Sequence, residues 1–187
     1  MEPVSLRIVA RETATRDEVD DAMRALGCRL INVVPATAGV PHQLVFASER
    51  GGATVHFVRD EQIGALVFVL GGPQRVVARL TEQLRSAIAT YRDDEIEQLA
   101  ARSDEPSAML RGLQLTALTA QPSELRVARF SAALSHDDEA VRGSALDAAI
   151  YAAWPTLAPH VARLAERDPS AKLRTRASEV LSRWSRP

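Results

Sequence analysis

An α+β chain of two domains is what the sequence predicts: a small βαββββα two-layer sandwich over residues 1–91, followed by an all-α helical repeat array over residues 92–187. Three observations carry that expectation. Thirteen of the 17 valines and seven of the nine glycines precede Arg92, and 19 of the 31 alanines follow Tyr91. Branched Val suits strands and Ala is the best helix former, so a sheet comes first and helices second. Apolar residues alternate early in the chain and recur at helical spacing later. Finally, the second part matches itself when shifted by 32 residues.

The elements follow in order. Val4, Leu6, Ile8 and Ala10 alternate with Ser5 and Arg7, the pattern of a strand with one buried face. Thr15 and Glu18 fit a capping box, and Val19, Ala22, Met23 and Leu26 give the helix behind it an apolar stripe. Gly27 supplies a left-handed stop. A strand is expected around Arg29 to Val34, then a turn-rich link (Pro35, Gly39, Pro41), then strands near 43–48, 54–59 and 64–70. Glu49-Arg50-Gly51-Gly52 reads as a hairpin turn and Gly71-Gly72-Pro73 as punctuation of the sheet. A second helix then carries Val76, Val77, Leu80, Leu84, Ile88 and Tyr91 on one stripe, and both helices are expected on one face of the sheet.

Six helices are expected beyond Tyr91, near 93–101, 106–119, 123–134, 138–153, 156–167 and 170–184. Pro106, Pro122, Pro155 and Pro169 fall at or just before their starts, where a missing amide costs little. The 32-residue shift sets Val141 opposite Leu173, Arg142 opposite Arg174, Ala145 opposite Ala177, Ala148 opposite Val180 and Ala152 opposite Trp184. Weaker echoes stand at Leu110-Arg111 and Leu125-Arg126. The earliest unit departs from the pattern, with Gln114 in place of Ala and Thr116 and Thr119 on its apolar face.

A turn with acidic residues or Pro, then a hydrophobic-Arg pair, then small residues, is carried by residues 138–145 and again by 168–177. It resembles short HEAT-like repeats of the phycobilin-lyase type. The resemblance covers about half the chain. It implies a solenoid, and since that repeat class holds scaffolds, chromophore-handling lyases and DNA glycosylases it implies no single activity.

Catalytic and ligand chemistry is not visible. Cys28 is the only cysteine, so an internal disulfide and a thiolate zinc cluster are excluded, and a buried thiol is the expected role. His42, His56, His136 and His160 lack the spacing of a metal site; no metal and no cofactor is expected. His136-Asp137-Asp138-Glu139 reads as helix capping rather than a ligand set. Gly71-Gly72 lacks the Lys-Ser/Thr of a Walker loop and the spacing of a dinucleotide fold, so it reads as a connecting turn. Ser48, Ser131 and Ser135 have no nucleophile-elbow setting, and no catalytic residue is assigned.

What remains is surface charge. With 23 Lys+Arg against 24 Asp+Glu the net charge is −1, which excludes a bulk basic module. Locally the balance tips. Six acids face Arg102 alone between Asp93 and Glu105, whereas seven bases oppose three acids from Arg163 to Arg186. The candidate interaction surface is Arg142, Arg163, Arg167, Lys172, Arg174, Arg176 and Arg183. Helix solvation and intramolecular pairing are the competing account of these charges. The expected function is a non-enzymatic protein-binding adaptor or regulator with an unidentified protein partner; head-to-tail self-association is a variant of it. Nucleic-acid binding through the basic last helix is the alternative, disfavoured by the neutral total, and lyase-like chemistry on a chromophore or other small molecule ranks below it. The longest apolar run, Ala65 to Leu70, is far short of the roughly 20 residues a membrane span needs, and Glu2-Pro3 does not open a signal segment, so no membrane and a cytoplasmic location are expected.

Overall fold

The computed structural model describes residues 3–185 apart from 39, 50, 51 and 62. The chain folds as two compact units, Met1–Tyr91 and Arg92–Pro187. The arrangement is α+β. In the first unit the order is β1 (Pro3–Ala10), α1 (Arg16–Ala25), β2 (Cys28–Val34), β3 (His42–Ser48), β4 (Thr54–Asp60), β5 (Ala65–Pro73) and α2 (Gln74–Ala87). Strands β2 to β5 form an antiparallel meander, and β1 adds to its β5 edge, giving the sheet order β1-β5-β4-β3-β2. With every neighbour antiparallel, β1 and β2 run parallel at opposite edges, and α1 carries the chain across.

The registers put Ile8 opposite Phe68, Phe68 opposite Phe57 and Phe57 opposite Leu44, so one sheet face is a continuous apolar surface. Val19 and Met23 of α1 and Val77, Leu80 and Leu84 of α2 join these residues in a single buried cluster, so both helices cover that face. The α1 capping box forms as the sequence suggests: Glu18 N donates to Thr15 Oγ1 at 3.3 Å and Thr15 N to Glu18 Oε2 at 2.7 Å. Gly27 then leaves the helix at φ +65°, a conformation that costs an L side chain about 1–2 kcal/mol.

Three expectations need correction here. Gly71-Gly72-Pro73 does not punctuate the sheet. These residues are the end of β5 and pair with Ser5, Val4 and Pro3 of β1. Glycine is required at 72 because its φ is +144° and an added Cβ would stand 2.9 Å from Ala53 Cα. Tyr91 is not on the α2 stripe. The chain turns extended at Ile88, and Thr90 bridges Ala10 while Tyr91 N donates to Val9 O at 2.9 Å. That bonding extends the β1 edge by a short segment no helical period would reveal. Nor is β1 buried on one side only, since Val9 is as enclosed as its neighbours Ile8 and Ala10. Gly39, Arg50 and Gly51 of the two expected turns, and Arg186 of the basic segment, lie outside the described residues.

The second unit is helical: α3 (Asp93–Ala100), α4 (Pro106–Thr119), α5 (Glu124–Leu134), α6 (Glu139–Ala152), a 3-10 turn at Pro155–Leu157, α7 (Ala158–Arg167) and α8 (Ala171–Trp184). Successive helices pair as α3 with α4, α5 with α6 and α7 with α8. In addition α4 packs on α6, α6 on α8, and α5 on α7. Helices α4, α6 and α8 therefore form one row and α5 and α7 part of another. Ala145, Ala148 and Ala149 are fully enclosed on α6 and hold the row close, while Phe130 and Trp154 meet edge to face at 5.4 Å in the same core.

Where α4 differs from the later helices, the differences are internally satisfied. Thr116 Oγ1 donates to Gly112 O and Thr119 Oγ1 to Leu115 O, both at 2.8 Å, so the buried Thr116 hydroxyl carries no desolvation penalty. Gly112 lets α3 touch the α4 backbone: a Cβ there would stand 2.1 Å from Ala100 N.

Candidate functional site

Arg142 is not where a surface residue belongs. It sits in the first turn of α6, is 7% exposed, and grips Asp168 with two bonds, Nε to Oδ2 at 2.6 Å and Nη2 to Oδ1 at 3.1 Å. Its Nη1 donates to the carbonyls of His136 and Asp137, both at 2.7 Å, which ends the preceding turn. Every nitrogen of the guanidinium is engaged. Asp168 in turn accepts from Ser170 N at 2.8 Å and serves as the polar start of the segment leading into α8. The Arg142 hydrogen bonds hold the Asp168 carboxyl below the usual carboxylate range, against the opposing effect of burial. Arg142 is removed from the interaction surface for this reason.

Arg174, 32 residues later, repeats half of this geometry. Its Nη1 donates to the carbonyls of Asp168 and Pro169 at 2.6 and 3.2 Å, the same residues six and five places back. Arg176 pairs with Asp147 across α8 and α6, and so is also engaged within the unit. The competing account, intramolecular pairing, thus applies to Arg142, Arg174 and Arg176. Arg163, Arg167, Lys172 and Arg183 stay exposed, and the last three have no hydrogen bond or ion pair among the described residues.

Two of the exposed cations belong to a groove. Arg163 and Arg167 lie one turn apart on α7 and, with Leu134, Ser135, His136 and Pro169, line a depression of about 270 Å3 between the α5–α6 turn and α7. The buried Arg142–Asp168 pair is at its floor and Asp137 at its rim. His160 also lines it. Arg163 Nη2 approaches His160 Nδ1 at 3.3 Å, and since a guanidinium can only donate, Nδ1 accepts and Nε2 carries the hydrogen. Burial, and then the Arg163 charge, hold the His160 pKa below its ordinary value, so the ring is neutral at pH 7. His136 Nδ1 likewise accepts, from Asp138 N at 3.0 Å.

The other sequence candidates sit elsewhere. Asp138 caps α6 through Ala140 N at 2.7 Å, the role expected of that acidic run. His56 bonds Gln43 within the sheet. Cys28 is buried, and burial together with Glu49 pushes its thiol pKa up, which keeps it protonated and unreactive. In the acidic segment Glu97 is bound by both Arg126 and Arg129, and Arg92 and Arg102 engage Asp94 and Glu105. Much of that charge is therefore already answered. Among the described residues no group of His, Cys, Asp and Glu could hold a metal ion, and no helix is long and apolar enough to cross a membrane.

Sequence reasoning missed Asp168 as a partner and His160 as a groove residue. The signal for the first was present, because Asp168 stands in the turn that the 32-residue shift sets opposite His136. The second had none, since nothing local ties residue 160 to the turn at 134–137. No protein-family model, curated protein or solved structure matches the chain.

Proposed function

We propose that the helical unit is a short-type HEAT-like repeat array, joined as a second domain to the βαββββα domain, and that the protein is a cytoplasmic, non-enzymatic adaptor or regulator. It binds a protein partner through the exposed cations of α7 and α8. The repeat reading is supported by Arg142 and Arg174 making the same pair of bonds to carbonyls five and six residues back. One observation carries the binding reading: Arg163, Arg167, Lys172 and Arg183 are exposed and have no acidic partner among the described residues, while the nearby Arg142, Arg174 and Arg176 are held by internal acceptors. Exposed and unpaired cations steer an acidic surface into place and select against basic ones. The partner is accordingly a protein with an acidic contact face.

Affinity-tagged protein and a variant carrying Arg163→Glu, Arg167→Glu, Lys172→Glu and Arg183→Glu are to be purified gently from cells of the source organism. A stoichiometric protein is expected with the native chain and lost with the variant. Recovery of no such protein, or equal recovery with both chains, rejects the reading.

A further inference from the structure

The groove between the α5–α6 turn and α7 has a chemistry of its own. Its lining side chains bring donors in excess: the guanidinium groups of Arg163 and Arg167, and the Nε2–H that His136 and His160 keep when Nδ1 accepts, with the Ser135 hydroxyl able to do either. The Arg142–Asp168 pair on the floor is mutually neutralised and adds no net charge. Asp137 is the one exposed acid on the rim, against two arginines. Leu134, Leu164 and Pro169 supply apolar wall.

From this we propose that the groove receives a carboxylate-bearing peptide segment of the protein partner, the carboxylates lying against Arg163 and Arg167 and a neighbouring apolar side chain against the wall. This rests on the protein-binding reading above and names the part of the surface that reads the partner. Size supports it. At about 270 Å3 the groove by itself is at the small end of the roughly 300–1,000 Å3 of sites that enclose whole small molecules, a size that suits one or two side chains of a longer ligand. A path for the rest of such a ligand exists, because an open trough along Val127 and Ala132 of α5, lined by Glu124 as well, shares Ser135 and His160 with the groove. Spacing supports it too. Residues four apart on a helix are separated by about 6 Å along its axis, which lets two guanidinium groups hold adjacent acidic side chains or fork onto one. A nucleic-acid backbone fits less well: affinity there grows with each neutralised phosphate, and the groove offers two arginines, an acid at its rim and apolar walls.

The test is a fluorescence-polarisation titration with the labelled peptide Ser-Leu-Glu-Glu-Leu-Ser and its Gln-for-Glu counterpart, circular dichroism verifying that each variant is folded. The native chain should bind the Glu peptide at least about ten-fold tighter than the Gln peptide; Arg163→Gln/Arg167→Gln should lose about ten-fold or more, and Lys172→Gln/Arg183→Gln should stay within about two-fold. Equal loss in both variants overturns the groove and leaves the wider cationic surface as the partner site. Absence of saturable binding by the native chain also overturns it, while the co-purification experiment judges the adaptor reading separately. Self-association in gel filtration that the Arg163→Gln/Arg167→Gln change abolishes overturns it in favour of a second copy of this chain.

Discussion

Arg142 and Asp168 form the one ion pair in which both partners are almost fully enclosed among the described residues. Breaking such a pair leaves a buried charge without a counterion, which costs about 3–5 kcal/mol, whereas replacing both partners costs far less. Asp168→Asn is therefore expected to lower stability by about that much at pH 7 in urea unfolding, and adding Arg142→Met should recover part of the loss. The pH dependence has a definite sign. Because the folded-state pKa of Asp168 is depressed, the stability it contributes is fully present above the unfolded value, about 3.9, and drains away as pH falls through the folded one. The gap between native and Asp168→Asn midpoints should consequently shrink below about pH 4; a gap that stays constant down to pH 2 would count against the pair as its source. The sequence marked Arg142 as special by its recurrence at Arg174 but assigned it to the wrong side of the surface. Recurrence reports that a residue is needed at a position, and a guanidinium that caps a turn recurs just as one that binds a partner does.

At the level of elements, backbone approach distances decide more than side-chain identity. Gly112 holds α3 against α4, and Gly112→Ala would drive a methyl group into the Ala100 backbone. The expected cost is at least about 1–3 kcal/mol of overpacking, read as a lowered melting temperature, whereas Gly143→Ala, inside α6 with its added Cβ 3.6 Å from the flexible end of Leu173, should be neutral to stabilising by up to about 1 kcal/mol of helix propensity. Most elements were legible in the sequence for a plain reason: the capping box at Thr15, the prolines at helix starts and the apolar stripes are local signals. Observed helices in the second unit begin and end within two residues of the expected bounds. The failures, at Gly71–Pro73 and at Ile88–Tyr91, both concern backbone that pairs with β1. Pairing with a strand 66 to 82 residues away leaves no local mark, and Gly-Gly-Pro reads as a turn until the close passage of Ala53 explains the glycine.

For the molecule as a whole, one buried cluster draws its residues only from 8–88 and the other only from 100–180. Each unit thus has a core of its own, the physical requirement for folding alone. Residues 92–187 expressed separately should show a cooperative thermal transition by circular dichroism; a fragment that melts without cooperativity would show that the helical core depends on the rest of the chain. The candidate site was half legible. Local charge counts located the basic segment, but which cations are free depends on where acceptors fall in three dimensions, and that separates Arg167 from Arg174.

The incomplete bonding of Arg174 has a consequence for chain length. Arg142 turns its Nη1 to the carbonyls behind it and its remaining nitrogens to the aspartate of the following turn; Arg174 does the first, and no carboxylate among the described residues bonds its remaining nitrogens. On the proposed repeat reading, a copy of residues 139–170 spliced in after Ser170 would give its own arginine the bonds that Arg142 now makes and hand a new aspartate backward to it, leaving Arg174 of α8 bonded as it is now. On that reading the molecule could be lengthened in 32-residue increments without a newly designed joint, because the same arginine-to-carbonyl bonds already close the turns before α6 and α8.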